Sequence, residues 1–404
     1  MKIDWDSKAG QEGVGESASI LRRSRRRSGS ERNLESALES VTTEAASGGG
    51  GLGEHERLER LREALDAAQP AMPEGEREAL KEKVLAGARA GLAKVNQGEP
   101  TQNFTLGEHV GLEAVILTNG ERPSLVVRDG FIDLGAPDIG DWDHDLGRVQ
   151  DKIRKVTASV GRIDVPERPW FAGTCFVVAE GLVITNRHVL EAIAVQDAAG
   201  GWTFKWPGET TVDFIAEDGA TSKTKFKVTG VAFAGPDPIN NTVNFAHLDM
   251  AILRVDPASD PPSRFPMPVT FETDVLKPAA RRDLYVVGFP GQPRTWRFDG
   301  TPWAGHETTQ VMSALFNDKF GLKRLAPGSV KTAAGAVAGD EKKWICAHDA
   351  STLAGNSGSC IVDLTGDGYR IVALHFAGVN RQQNWAHVVG HLRDQLSNFS
   401  ATFV

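Results

Sequence analysis

The chain has 404 residues, 40% of them hydrophobic and 24% charged, with a net charge of −8. That is ordinary globular composition, long enough for one large domain or two to three smaller ones. The acidic balance excludes a general affinity for nucleic acid or for an anionic membrane surface.

The first residues, MKIDWDSKAGQEG, carry no apolar stretch of the kind a signal peptide needs. No segment approaches about 18 uninterrupted apolar residues, so no transmembrane helix is expected. Three cysteines, Cys175, Cys346 and Cys360, are unlike the even framework of a disulfide-stapled secreted domain. A cytoplasmic location is expected. Residues 1–51 are rich in Ser, Gly, Glu and Arg, include the basic run LRRSRRRSGSER, and read as a disordered arm.

Residues 52–97 read as a helical hairpin broken at PAMP. Leu58, Leu61, Leu65 and Ala68 share one helical face; Leu80, Val84, Ala88, Leu92 and Val95 share another. Two short helices bury little by themselves, so the pair is expected to pack on something folded, such as a regulatory protein partner. Residues 98–150 read as a β-hairpin and linker packing on the C-terminal part of the chain, with the turn at Asn119-Gly120. In DIGDWDHDLG, the side chains of Asp141, Asp143, His144 and Asp145 suit the start of a helix better than a metal site. No metal or other cofactor is expected anywhere in the chain.

From about residue 150 the pattern is short apolar runs separated by turns: TCFVVA, LVIT, KFKVTGVAF, MAILRV, DLYVVGF, WICAHD, SCIVD and YRIVALHF. This is an all-β barrel or sandwich pattern. GHLRDQLSNF near the end is a short helix candidate.

The stretch HDASTLAGNSGSC, residues 348–360, places Ser357 between Gly355 and Gly358 immediately before an apolar strand. Glycines there suit a tight turn; they also suit a nucleophile loop whose bare N–H groups converge on a substrate oxygen. A nucleophilic serine needs a base, and the base an orienting acid. His188 stands at the end of the run LVIT, in TNRHV; Asp249 stands directly before a buried run, in LDMAIL.

Together TNRHV, LDMAIL and GNSGS, in that order, resemble the triad motifs of the trypsin-like serine peptidases, over roughly residues 155–395. GNSGS looks most like the bacterial glutamyl-endopeptidase-like branch. The resemblance implies two six-stranded β-barrels, the first over about 155–262 and the second over about 265–390, followed by a C-terminal helix. The protease domain would be residues 151–404. His188 would be general base, Asp249 its orienting partner and Ser357 the nucleophile, with Gly355 and Ser357 N–H groups as the oxyanion hole. Asn356 stands where zymogens of the family have an activating Asp. Cys346 and Cys360 flank the nucleophile loop, and in a reducing compartment they are expected as small buried hydrophobes rather than a disulfide.

Trypsin selects basic residues with an acid six positions before the nucleophile; that position here is Ser351. The glutamyl endopeptidases use a hydroxyl and a histidine, and the corresponding residues are Thr352 and His375. Phe376, Ala377 and Gly378 would form the edge that pairs with substrate backbone. The implied function is a cytoplasmic serine endopeptidase acting on a protein or peptide substrate, with acidic P1 preference, in limited regulatory proteolysis. The alternative from another class is a catalytically silent protease-like binding module. An α/β-hydrolase would need Gly-x-Ser-x-Gly and the order Ser, Asp, His, and neither is present around Ser357.

Overall fold

The computed structural model describes residues 53–67, 73–97, 99, 105–118, 122–136, 139–166, 171–221, 224–239, 243–279, 283–291, 315–316, 319–353, 355–379 and 383–404. The arm over 1–51 and the Asn119-Gly120 turn lie outside these residues.

Three helices come first: α1 (Glu54–Ala67), α2 (Glu74–Gln97) and α3 (Leu106–Thr118). They bury a core of their own, built from Leu61, Leu65, Val84, Leu85, Ala88, Leu92, Leu112 and Val115, with Leu315 packed against it. The third helix corrects the sequence reading, which placed the first arm of a β-hairpin at residues 112–118. Two features make it a helix. Thr105 and Glu108 form a reciprocal capping box: Thr105 N–H donates to Glu108 Oε2 at 2.7 Å, and Glu108 N–H to Thr105 Oγ1 at 3.3 Å. Small residues then let α2 and α3 approach closely. A Cβ at Gly87 would collide with Gly107 O, and one at Gly111 with the backbone of Ala88. Burial of Leu112, Ala114 and Val115 in the helical core outweighs the strand preference of the stretch LEAVILT.

The hairpin lies further on, as β1 (Leu125–Arg128) and β2 (Phe131–Ile132). Its turn is Asp129-Gly130, both at positive φ (51° and 75°), the conformation an Asp-Gly hairpin turn requires. Helices α4 (Trp142–Arg148) and α5 (Gln150–Ala158) come next. Asp143 and Asp145 occupy the first turn of α4. Among the described residues no group of three or more His, Cys, Asp or Glu side chains is placed to hold a metal ion.

The first barrel contains β3 (Val160–Asp164), β4 (Phe171–Ala179) and β5 (Leu182–Thr185). Helix α6 (Arg187–Ile193) and a small hairpin, β6 (Ala194–Gln196) with β7 (Trp202–Phe204), interrupt it. It is completed by β8 (Thr211–Asp213), β9 (Lys225–Ala234) and β10 (Ala251–Asp260), and closes in the order β10-β5-β4-β3-β8-β9. After β11 (Thr270–Phe271) come β12 (Asp283–Gly288), β13 (Arg324–Thr332), β14 (Ile345–His348), β15 (Cys360–Asp363), β16 (Arg370–Val379) and β17 (Gln383–Val388). These run β12-β15-β16-β17-β14-β13, and pairing of β12 with β13 closes a second six-stranded barrel. A 3-10 turn (Val389–Leu392) and helix α7 (Arg393–Ser397) lead to β18 (Thr402–Phe403), which pairs with β11.

The apolar runs are continuous because their strands are buried on both faces. In β4, Cys175 and Val177 face the first barrel's interior, while Phe176 and Val178 face the core between the barrels. In β12, Leu284 and Val286 face the second interior, and Tyr285 and Val287 the shared core. That shared core also takes Val127, Phe131, Trp142, Ile153 and Val156 from the segment before the barrels. The same alternation separates two cysteines. Cys346 faces the interior of the second barrel and Cys360 the shared core, on strands that are not neighbours. All three cysteines are free and buried.

Candidate active site

TNRHV brings four side chains to one corner of the first barrel. Thr185 Oγ1 donates to Thr174 O at 2.7 Å, tying the end of β5 to β4. Asn186 precedes the first turn of α6 and donates from Nδ2 to Asp249 O at 2.8 Å. Arg187 is buried against Trp202, donates to Glu191 and Gln196 at 2.9 Å, and also bonds Gly235 O. The helix so anchored presents His188, with about 32% of its side chain open to solvent.

Asp249, 4% exposed, precedes β10. Its Oδ1 accepts the His188 backbone N–H at 2.9 Å and its Oδ2 lies 2.6 Å from His188 Nδ1. The two bonds fix both the position and the ring orientation of the histidine, leaving Nε2 as the free nitrogen. Burial disfavours the imidazolium, but the Asp249 carboxylate and its hydrogen bond outweigh this, so the His188 pKa stands above its ordinary value. Burial likewise works against the Asp249 carboxylate, and the paired histidine and backbone donor hold its pKa below the usual range. Asp249 N–H donates across the barrel interface to His387 Nε2 at 3.1 Å.

Ser357 lies between β14 and β15, half-buried. Its loop is docked on the first barrel: Thr174 N–H donates to Ser357 O and Thr174 Oγ1 to Gly355 O, both at 2.8 Å. From the second barrel Gly358 N–H donates to His375 O at 3.0 Å. Both glycines have positive φ, 98° at Gly355 and 88° at Gly358. A Cβ at Gly358 would strike Thr174 O; one at Gly355 would stand 2.7 Å from Phe289 O. The glycines therefore serve both turn geometry and close approach, and the approach seats Ser357 beside the helix that bears His188. Val189, the next residue of that helix, and Ser357 O both crowd the space a Cβ at Gly173 would need. The N–H groups of Gly355 and Ser357 have no acceptor among the described residues. Asn356 is buried, and its Oδ1 accepts from Ser359 Oγ at 3.3 Å.

Thr352 Oγ1 donates to Asn384 Oδ1 at 2.6 Å, and Asn384 Nδ2 donates to Ala350 O at 2.9 Å. His375 is buried, with Nδ1 3.2 Å from His348 Nε2. Burial first, and then the nearby His348 and His188, push the His375 pKa well below its ordinary value. Ala377 and Gly378 are half-buried and pair with β17, whereas the Phe376 ring is buried and stacks on His387 at 4.5 Å. Sequence reasoning missed Asn186, His348, Asn384 and His387. Asn186 stood in plain view beside His188; the other three carry no local signal.

The double barrel and its cleft residues define a trypsin-like peptidase. The sequence pattern of the trypsin-like peptidase domain matches residues 173–374. A probable serine protease of Lysobacter enzymogenes, FE772_23060, is 31% identical over 356 residues, covering 86% of this chain and 89% of that protein. The chain belongs to the trypsin-like serine peptidase family. Among solved structures, the inactive form of the Rv3671c protease is 21% identical, covering 61% of this chain and 91% of that one, with a TM-score of 0.34. The active form, from M. tuberculosis, is 20% identical, covering 61% and 83%, with a TM-score of 0.34.

Proposed function

We propose that this chain is a serine endopeptidase with Ser357 as nucleophile, His188 as general base and then general acid, and Asp249 as the group that orients and stabilises the imidazolium. The observation that carries the reading is the double engagement of Asp249 by His188, beside a glycine-flanked serine loop. His188 Nε2 takes the Ser357 proton as Oγ attacks the scissile carbonyl, and returns it to the leaving amine. Gly355 and Ser357 N–H groups receive the developing oxyanion; losing one such donor typically costs about 3–4 kcal/mol of transition-state stabilisation. Water then attacks the acyl-enzyme by the same proton route.

The reading extends to an acidic P1 residue, as in the glutamyl-endopeptidase-like branch. We assign the His348 proton to Nε2, donating to His375 Nδ1, on the strength of the hydrogen-bond network. His375 then keeps Nε2–H as a neutral donor for a carboxylate. Thr352 releases Asn384 and turns its hydroxyl proton to the other oxygen. Residues 376–378 offer backbone to the substrate strand. Free buried cysteines fit a reducing, intracellular setting. Helices α1 and α2 share a core with α3, which fits a recruitment module over residues 52–97 completed by α3 that would restrict cleavage to chosen protein targets.

A peptide library varied at P1 tests both levels. Ser357→Ala is expected to abolish cleavage at every P1. His375→Ala should weaken cleavage after Glu more than after Leu, by about 2 kcal/mol, because a buried carboxylate loses a donor. A dominant preference for Arg would overturn the pocket assignment; undiminished cleavage by Ser357→Ala would overturn the nucleophile.

A further inference from the structure

Between the end of β14 at His348 and the serine loop, residues 349–353 have no regular secondary structure. Such a segment must be fixed by side chains. Asp349 N–H donates to Ser329 O at 3.2 Å, and Ser329 N–H returns to Asp349 Oδ1 at 2.7 Å. Asn384 holds Ala350 O and Thr352 from the β17 side. Gly328 lets Ala350 approach β13, because a Cβ there would stand 2.6 Å from the Ala350 side chain.

A further hold comes from outside the barrels. Arg122, just before β1, grips Asp349 with both arms of its fork: Nε to Oδ1 and a terminal NH2 to Oδ2, each at 2.8 Å. The side chains are 8% and 0% exposed, so the pair is desolvated. Ser351 Oγ donates to the Arg122 carbonyl oxygen at 2.6 Å. One residue thus engages both Asp349 and Ser351, immediately before Thr352. Three residues on, the chain is anchored to the second barrel, where β1 pairs with β13 at Leu125↔Leu325 and Val126↔Arg324.

We propose that Arg122, in the segment preceding the protease barrels, is a positioning residue for the P1 pocket wall formed by residues 349–352. This rests on the reading of Ser357 as nucleophile and of Thr352 as pocket wall. Arg122 touches neither substrate nor the reacting atoms. It acts through Asp349 and Ser351, setting where the Thr352 hydroxyl stands relative to His375. A planar, two-pronged guanidinium does this better than a lysine ammonium, which offers a point charge without a fixed fork.

The full chain carries the test, as Arg122→Met, Arg122→Lys and the uncharged pair Arg122→Met with Asp349→Asn. The pair keeps an acceptor for Ser329 N–H and avoids a lone buried charge if the single variant does not fold. Two readouts separate the pocket wall from the catalytic centre. One is the rate at which a small fluorophosphonate without a P1 side chain modifies Ser357. The other is kcat and KM on peptide nitroanilides that differ only at P1. The expected result is modification within about twofold of wild type, with kcat/KM on the best P1 lowered about tenfold or more, chiefly through KM, and discrimination against Ala at P1 reduced. Arg122→Lys should recover part of the loss. An unchanged P1 profile, or parallel losses in modification and in cleavage at every P1, would overturn the role of Arg122 alone. A wild-type chain that the fluorophosphonate leaves unmodified would overturn the nucleophile assignment, and this proposal with it.

Discussion

Every polar atom of Asp249 has a partner: Oδ1 and Oδ2 on His188, the carbonyl oxygen on Asn186, and N–H on His387. A carboxylate so held cannot rotate away from the imidazole, and this is why the His188 pKa is raised despite burial. The chemistry needs the neutral ring, so a raised pKa delays its availability as pH increases. The kcat/KM of the free enzyme should therefore climb with pH, with a midpoint above the ordinary histidine value of about 6.5. Peptide hydrolysis from pH 5 to 9 checks this; a midpoint well below that value would contradict the Asp249 pairing. The sequence singled out His188, Asp249 and Ser357 by their distinctive neighbours, and the structure places Asp249 on His188 and the Ser357 loop beside the His188 helix. Arg122, Asn384 and His387 were not, because their partners are 227, 32 and 138 positions away. Thr352 and His375 were singled out together by the family resemblance, but their bonds to Asn384 and His348 were not foreseen.

At the scale of elements, eight barrel strands (β4, β5, β9, β10, β12, β14, β15 and β16) were readable from their apolar runs and turns, whereas β3, β8, β13 and β17, with shorter or more polar runs, were not singled out. The segment between α2 and the first barrel was not readable. Its helix α3 contains β-branched residues and precedes an Asn-Gly, a strong local hairpin signal. The stabilising features are a capping box, which was present in the sequence as Thr105-x-x-Glu108, and a glycine seam, whose meaning depends on the facing helix. Gly111→Ala places a methyl group against the Ala88 backbone. It should destabilise the three-helix unit by about 1–3 kcal/mol, since overpacking a tight contact forces backbone movement. Peptide cleavage by the barrels should persist. Thermal unfolding followed by limited proteolysis near residues 53–118 reads this; an unchanged helical unit would mean the seam has slack.

Across the whole molecule, two barrels and the preceding segment share one core; buried histidines lie in it, as His387 does against Trp344 and Phe376, or beside it, as His348 does on the Cys346 face of β14. His348 and His387 are fully buried, and burial pushes each pKa down to about 4 from 6.5. Between these values the unfolded chain takes up protons that the folded chain refuses, so falling pH favours unfolding. Stability is full above about pH 6.5 and falls as pH drops toward 4, by about 3 kcal/mol for each histidine. The lowered pKa values of Asp249 and Asp349 add a further loss at still lower pH. Denaturant midpoints should hold from pH 8 to about 6.5 and decline through pH 6, 5 and 4, and His387→Gln should flatten part of the decline. Constant stability across that window would show that neither ring is held neutral by burial.

The most direct measurement for the central claim is site-resolved modification by a small fluorophosphonate, read by mass spectrometry on the full chain. Chemistry driven by His188 and Asp249 predicts a single adduct, on Ser357, and none on Ser357 after His188→Ala. An unmodified wild-type chain, or an adduct on another serine, would contradict it.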